Sequence, residues 1–277
     1  MKLNDIRRAL TDTLGSADEA GAVIGYVYGI DKTELYLRLF DDFDYSETID
    51  EITKRRTSGE PLEYIIGKTV FCGIDFSVSP CCLIPQADTE VVVQAALDNI
   101  GGGRFLDLCT GSGCIAVALA KLGGGSGVAV DISREALDIA EKNAADNGVS
   151  DKIKFVCDDI FSSDASFADG KFDVVVSNPP YINTSVIDSL SPEVRHEPRI
   201  ALDGGDDGLN FYRRIIPLAP SLLNENGTLV LEIGYDQAMS VGALLSEHGF
   251  EYTILRDYGG NERCAVAKIK NNTSEGK

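Results

Sequence analysis

Leu3, Ile6, Leu10 and Leu14 recur at helical spacing and open a stretch of about sixty residues built on that period. A second helical stripe runs from about Ala17 to Tyr28, and a third segment carries Leu35, Leu37, Leu39 and Phe40. A fourth opens at Ser46, a suitable N-cap, and continues through Ile49 and Ile52 to the basic turn Lys54, Arg55 and Arg56. Gly59 and Pro61 break the pattern. Residues 1–60 are therefore predicted to form a small helical bundle. Beyond them the period falls to two. Ile74, Phe76 and Val78 alternate with polar residues and Cys72-Gly73 supplies a turn, so 61–85 is predicted as a β-hairpin linker.

Residues 86–277 form the third predicted region. A helix is expected from about Thr89 to Asn99, after which short apolar runs alternate with helical stripes. Strands are read at Phe105–Leu108, Val128–Asp131, Ile153–Cys157, Phe172–Ser177 and Thr228–Ile233. Helices are read at 113–122, 134–147, 208–223 and 236–248. This βαβ alternation implies a doubly wound, mostly parallel sheet. The last two strands, near 250–256 and 263–269, are joined by Tyr258-Gly259-Gly260-Asn261. That link is too short for a parallel crossover, so the pair is predicted antiparallel at one edge. Residues 271–277 read as a frayed tail.

Composition narrows the classes of function. With 277 residues, 44% of them apolar, the chain can bury a large α/β core beside a smaller domain. A net charge of -19 argues against a broad nucleic-acid surface, because phosphate affinity comes mainly from Lys and Arg. Seven cysteines show no CxxC spacing and the two histidines lie far from them in sequence, which argues against a zinc site and a disulfide scaffold. No metal is expected. The N-terminus lacks a signal-peptide core and no apolar run approaches 18 residues, so a cytoplasmic protein without membrane segments, and a monomer, is expected.

Two loops carry the chemistry. Asp107-Leu108-Cys109-Thr110-Gly111-Ser112-Gly113 leaves the first strand of the alternating region and enters a helix. Its glycines let backbone approach a ligand closely. Asp131 ends the next strand, where a carboxylate can accept from both hydroxyls of a ribose. A third acid, Asp158 or Asp159, ends the following strand before Ile160 and Phe161, placed to accept from an adenine amino group under an apolar cover. The glycines depart from GxGxxG, so a sulfonium amino acid suits the loop better than a pyrophosphate. The second loop, Asn178-Pro179-Pro180-Tyr181, follows a buried strand and should face the same crevice. Its prolines stiffen it and remove two donors. The Asn178 oxygen and Pro179 carbonyl then offer two acceptors at fixed separation, matched to the two hydrogens of a planar –NH2. Tyr181 offers an aromatic face for a planar amide or a nucleobase.

With both loops in view, the chain resembles the release factor glutamine N5-methyltransferases, the HemK/PrmC family. Supporting segments are Gly59 to Ile65, Leu83-Ile84-Pro85 with Asp88-Thr89-Glu90, Asp107 to Gly113, Asp131, Asn178 to Tyr181, Val194 to Pro198, and Asn261-Glu262-Arg263. The resemblance implies a Rossmann-like class I methyltransferase sheet with a small N-terminal helical domain that helps to hold the substrate. It implies S-adenosylmethionine as cofactor, held by Asp107, Cys109, Thr110, Gly111, Ser112, Gly113, Asp131, Asp159, Ile160 and Asn178. The implied substrate is the GGQ-motif glutamine of class I peptide chain release factors, held by Asn178, Pro179, Pro180 and Tyr181, of which Asn178, Pro179 and Tyr181 are the catalytic set. Two positions depart from the family. Cys109 stands where Gly is usual, so an ordinary φ is expected there, and Gln86-Ala87 replaces an Arg-Pro pair. Arg195 and Glu197 read as members of a structural ion pair. The alternatives are an adenine or cytosine N-methyltransferase acting on nucleic acid, which shares such an acceptor loop, and a non-catalytic factor-binding protein on a relic fold.

Overall fold

A computed structural model describes residues 1–161 and 167–270, so the expected tail at 271–277 lies outside the described residues. The chain divides into two compact units, one of Met1–Lys68 with Ser191–His196, the other of Thr69–Leu190 with Glu197–Lys277.

The first unit holds five helices: α1 (Leu3–Leu14), α2 (Ala17–Tyr28), α3 (Lys32–Leu37), α4 (Glu47–Thr57) and α5 (Leu62–Ile66). Local chemistry sets their ends. Ser16 accepts from Glu19 N, Asp31 and Glu34 form a reciprocal capping box, and Ser46 accepts from Thr48 N. Leu3, Ile6, Leu10, Val23, Ile24, Ile49 and Ile52 share one buried core. The third stripe is shorter than its sequence suggests. Leu35 is buried, but Leu37 and Phe40 are 79% and 78% exposed because α3 stops at Leu37. A short helix, α5, occupies part of the segment expected to be hairpin. Arg56 makes a two-bond pair with Glu19 (2.9 and 2.9 Å) and a third bond to Glu193 at 2.7 Å, which ties Ser191–His196 into this unit.

The second unit is built on the strands β1 (Lys68–Phe71) and β2 (Ile74–Ser77) of a hairpin and a seven-stranded sheet. That sheet contains β3 (Arg104–Leu108), β4 (Ser126–Asp131), β5 (Ile153–Cys157), β6 (Phe172–Ser177), β7 (Leu223–Glu232), β8 (Phe250–Arg256) and β9 (Glu262–Ile269). Their order is β5-β4-β3-β6-β7-β9-β8, parallel throughout except for β9, which runs antiparallel to both neighbours. The order reverses at β3, so the crevice falls beyond the carboxyl ends of β3, β4 and β6.

Side-chain alternation assigns the two faces. Phe105, Ala129, Val174, Val176 and Val230 point to one core, shared with α6 (Glu90–Ile100), α7 (Cys114–Leu122) and the hairpin residues Phe71, Ile74 and Phe76. Leu106, Leu108, Val128, Val130, Val175, Leu229 and Leu231 point to the other, under α9 (Asn210–Leu222) and α10 (Ala238–Glu247). Both faces are covered, which is why these strands read as near-continuous apolar runs. On the first face, α8 (Arg134–Asp146) is stitched to the hairpin by the buried Asn143, which donates to Ser77 O and Ser112 O and accepts from Ser77 N.

Candidate active site

Three acidic side chains end strands on the crevice side of the sheet, and the backbone loops are organised around them. Asp107, at the penultimate position of β3, is 0% exposed and accepts from the Thr110 hydroxyl at 2.5 Å and from Ala116 N at 3.2 Å. Among the described residues its Oδ1 has no hydrogen-bond partner. Burial pushes the carboxyl up to about 7, against the pull of those two donors, and the nearby charge of Asp131 adds to the rise. Asp131, the last residue of β4, accepts from Gly111 N at 2.8 Å and Ser133 N at 2.9 Å. Burial raises its carboxyl too, opposed by those amides. The glycine-bearing loop is thus held from beneath by Asp107 and from the side by Asp131.

Glycine is required at two points of that loop. Gly111 has φ 56°, and Gly113 has φ 78° with its Cα so close to α8 that an added Cβ would lie 2.8 Å from the Ala140 Cβ. Cys109 has φ 60°, in the left-handed region, which overturns the expectation of an ordinary φ at this residue. The loop geometry that glycine satisfies freely is imposed here on a side chain, at a cost of about 1–2 kcal/mol. Burial also raises the Cys109 thiol far above its usual range, so it is not a thiolate.

A cavity opens over this loop. Of the residues expected to hold a cofactor, Cys109, Thr110, Gly111, Ser112, Asp131, Asp159, Ile160 and Asn178 lie on its wall. Asp107 and Gly113 do not. They stand behind the loop and shape it. Asp158 also reaches the wall, as do Phe161 and Phe211, whose rings meet edge to face at 5.2 Å. The opposite side is the strap Cys81–Gln86, fixed where Ile84 N donates to the buried Glu197 carboxylate at 3.0 Å. Glu197 therefore anchors the strap's backbone. Among the described residues the wall carries three carboxylates and no Lys, Arg or His. It is suited to a cationic ligand bearing hydroxyls and unsuited to a pyrophosphate.

The second loop meets this cavity at Asn178 and Pro180. Asn178 Nδ2 donates to Thr89 Oγ1 at 3.2 Å, which leaves Oδ1 without a protein partner among the described residues. Pro179 is buried, and Tyr181 is half-buried, off the cavity wall, with its hydroxyl donating to Glu232 Oε1 at 3.2 Å. Gly204 and Gly208 approach the Tyr181 backbone so closely that a Cβ at either would clash with it. Gln237 Nε2 donates to Tyr181 O at 3.0 Å. Phe211, Gln237 and Glu232 were not singled out by sequence reasoning, whereas Leu83 to Ala87 and Thr89 entered it only as segments of the family resemblance, with no site role. Glu232 had a visible signal, since an acid ending an apolar strand is what marks Asp131. Phe211 and Gln237 had none, because only tertiary packing brings them to the loop.

Residues 105–196 match a methyltransferase domain family, and residues 3–67 match the PrmC N-terminal domain. A release factor glutamine methyltransferase from Geobacter sulfurreducens is 41% identical over 279 residues, covering 95% of this chain and 96% of that one. The chain belongs to the release factor glutamine methyltransferase family. A second family member, from Agrobacterium fabrum, is 44% identical over 230 residues, 79% of this chain and 78% of that one. A crystal structure of a methyltransferase from Pyrococcus furiosus shares the fold, with a TM-score of 0.56 at 19% identity over 72% of this chain and 90% of that one.

Proposed function

We propose that this enzyme transfers a methyl group from S-adenosylmethionine to the side-chain amide nitrogen of the GGQ glutamine in class I peptide chain release factors. Family membership supports the substrate, and the observation that carries the chemistry is the acidic, cation-free cavity that ends at Asn178. When bound, the cofactor supplies an electrophilic methyl carbon. Asp131 would hold the ribose hydroxyls and Asp159 with Ile160 the adenine, while Cys109 to Ser112 would line the methionine part. Phe161 and Phe211, whose rings meet edge to face on the cavity wall, would flank the adenine.

An amide nitrogen is a poor nucleophile because its lone pair is delocalised. Asn178 Oδ1 and the Pro179 carbonyl, taking one hydrogen each, aim that lone pair and favour a pyramidal, partly positive nitrogen. Orientation of this kind supplies on the order of 7–11 kcal/mol. The nitrogen–carbon bond forms as the sulfur–carbon bond breaks, and the surplus proton leaves the nitrogen afterwards. The helical unit, residues 1–60, would hold the release factor. The seven cysteines form no disulfide among the described residues, which fits a reducing cytoplasm, and among the described residues no helix is long and apolar enough to cross a membrane.

The test is mass spectrometry of a recombinant release factor incubated with enzyme and cofactor. A single added methyl on the GGQ glutamine is expected. Equal methylation of a factor carrying asparagine in place of that glutamine would remove the substrate assignment.

A further inference from the structure

Two segments that stand out in the sequence, Asp88-Thr89-Glu90 and Asn261-Glu262-Arg263, have no role in the transfer itself, and they meet. Arg263, near the start of β9, is 7% exposed, and its guanidinium joins three segments. Nε donates to Asp257 Oδ2 at 3.0 Å in the turn after β8, and Nη1 donates to the Ile233 carbonyl at 3.4 Å just past β7. Nη2 lies 3.2 Å from Asp88 Oδ2. Asp88 belongs to the short turn Ala87–Thr89 that leads into α6. Its two neighbours are bonded in other directions. Glu90 Oε1 accepts from Cys72 N of the hairpin at 2.9 Å, and Thr89 Oγ1 accepts from Asn178 Nδ2 at 3.2 Å. Three successive side chains thus tie this turn to the end of the sheet, to the substrate loop and to the hairpin.

These bonds bear on the reaction through one atom. Thr89 is 2% exposed and lines the cavity, whereas Asp88 does not reach its wall. While Thr89 Oγ1 holds Nδ2, the Asn178 amide keeps Oδ1 for the substrate. A turn free to move would carry Oγ1 away, and a misplacement of about 1 Å in such a contact costs on the order of 100-fold in rate. The Asp88 side chain is 49% exposed, and an ion pair so open to water adds little to stability. Placement is what it supplies. A planar guanidinium already fixed by Asp257 and Ile233 gives Asp88 a rigid partner. We propose that Asp88, held by Arg263, is a positioning residue for methyl transfer. It fixes the 87–89 turn so that Thr89 Oγ1 takes Asn178 Nδ2 and leaves Oδ1 to the substrate –NH2. This rests on the reading of Asn178 as an acceptor.

The experiment is single-turnover methylation of a folded release factor at saturating cofactor and factor, with cofactor affinity measured in parallel by calorimetry. Asp88→Ala is expected to slow transfer on the order of 10-fold, less than loss of the direct contact, with cofactor affinity within about threefold. Asp88→Asn loses the charge but still accepts from Arg263, and it should recover most of that rate. Thr89→Val should be at least as slow as Asp88→Ala, and Thr89→Ser, which keeps the hydroxyl, should recover. Asp88→Ala with Thr89→Val should be no slower than Thr89→Val alone, because Asp88 acts through Thr89. Multiplicative losses would overturn the proposal, since Asp88 would then act by another route. An Asn variant as slow as Ala would also overturn it, by showing that charge at the helix start matters and the bond to Arg263 does not. Should Thr89→Val fail to fold or to bind cofactor, the Asn and Ala variants of Asp88 decide. Asn178→Ala separates the two levels. If it transfers normally, the reading of Asn178 itself is wrong, whereas a dead Asn178→Ala beside a normal Asp88→Ala removes only the present inference.

Discussion

At Cys109 the loop holds an L-residue at φ 60°, where glycine is free of strain. Cys109→Ala and Cys109→Gly both delete the thiol, but only glycine relieves the backbone. The Gly variant should therefore exceed the Ala variant by about 1 kcal/mol in urea unfolding, the reverse of the order in ordinary strands. Alanine as the more stable of the two would mean that the loop relaxes elsewhere. At Asn178 the proposed mechanism predicts an effect on rate. Asn178→Ala should cut single-turnover transfer on the order of 100- to 1000-fold, with cofactor affinity much less affected. Asn178→Asp keeps an acceptor and should fall between Ala and wild type. An Ala enzyme within about threefold of wild type would exclude the acceptor mechanism.

Among the elements, the loop from β3 to α7 does two jobs through Asp131, which lines the cavity and anchors Gly111 N. Asp131→Ala should weaken cofactor binding by about 1.5–3 kcal/mol through lost charged hydrogen bonds. Calorimetry showing unchanged affinity would place the ribose elsewhere. The parallel strands were legible in sequence because both faces of the sheet are buried and they read as apolar runs, with an acid at or next to the crevice end of β3, β4 and β7. Phe172–Ser177 is such an apolar run, leading into Asn178 to Tyr181. The bundle was legible where amphipathic stripes are long, as in α1 and α2. It was misread at α3, because Leu37 and Phe40 look like core and lie exposed, Leu37 at the helix's last position and Phe40 beyond it. Thr89 was read as the start of a helix, but its meeting with Asn178 depends on a side-chain contact between distant segments that no local pattern encodes.

For the whole molecule, pH links stability to the buried acids. The folded-state carboxyl of Asp107 lies at about 7 against an ordinary value of about 4. The folded form then binds the extra proton more tightly than the unfolded form between those limits. Its contribution is fully present below about pH 4 and lost as pH rises through 7. Relative to Asp107→Asn, the cofactor-free wild type should gain thermal stability as pH falls from 8 to 5.5. A constant difference in Tm across that range would show that the carboxyl titrates normally. The two-unit organisation bears on recognition. A chain beginning near residue 70 is expected to bind cofactor and to fail to methylate the release factor. It also strips Ser191–His196 of its partners, so the loss could not be assigned to the bundle alone, and single substitutions on the bundle surface are the cleaner measure of docking.

The Arg56 clamp on Glu193 also sets an order of events during synthesis. The unit's last segment is synthesised only after residues 69–190, so Glu19 but not yet Glu193 is available to Arg56 when the bundle is first made. In the finished protein the same bond restrains a stretch whose Arg195 is open to solvent. Arg56→Ala should therefore let trypsin nick the native enzyme after Arg195 sooner than in wild type, and an unchanged nicking rate would show that the segment is held by other contacts.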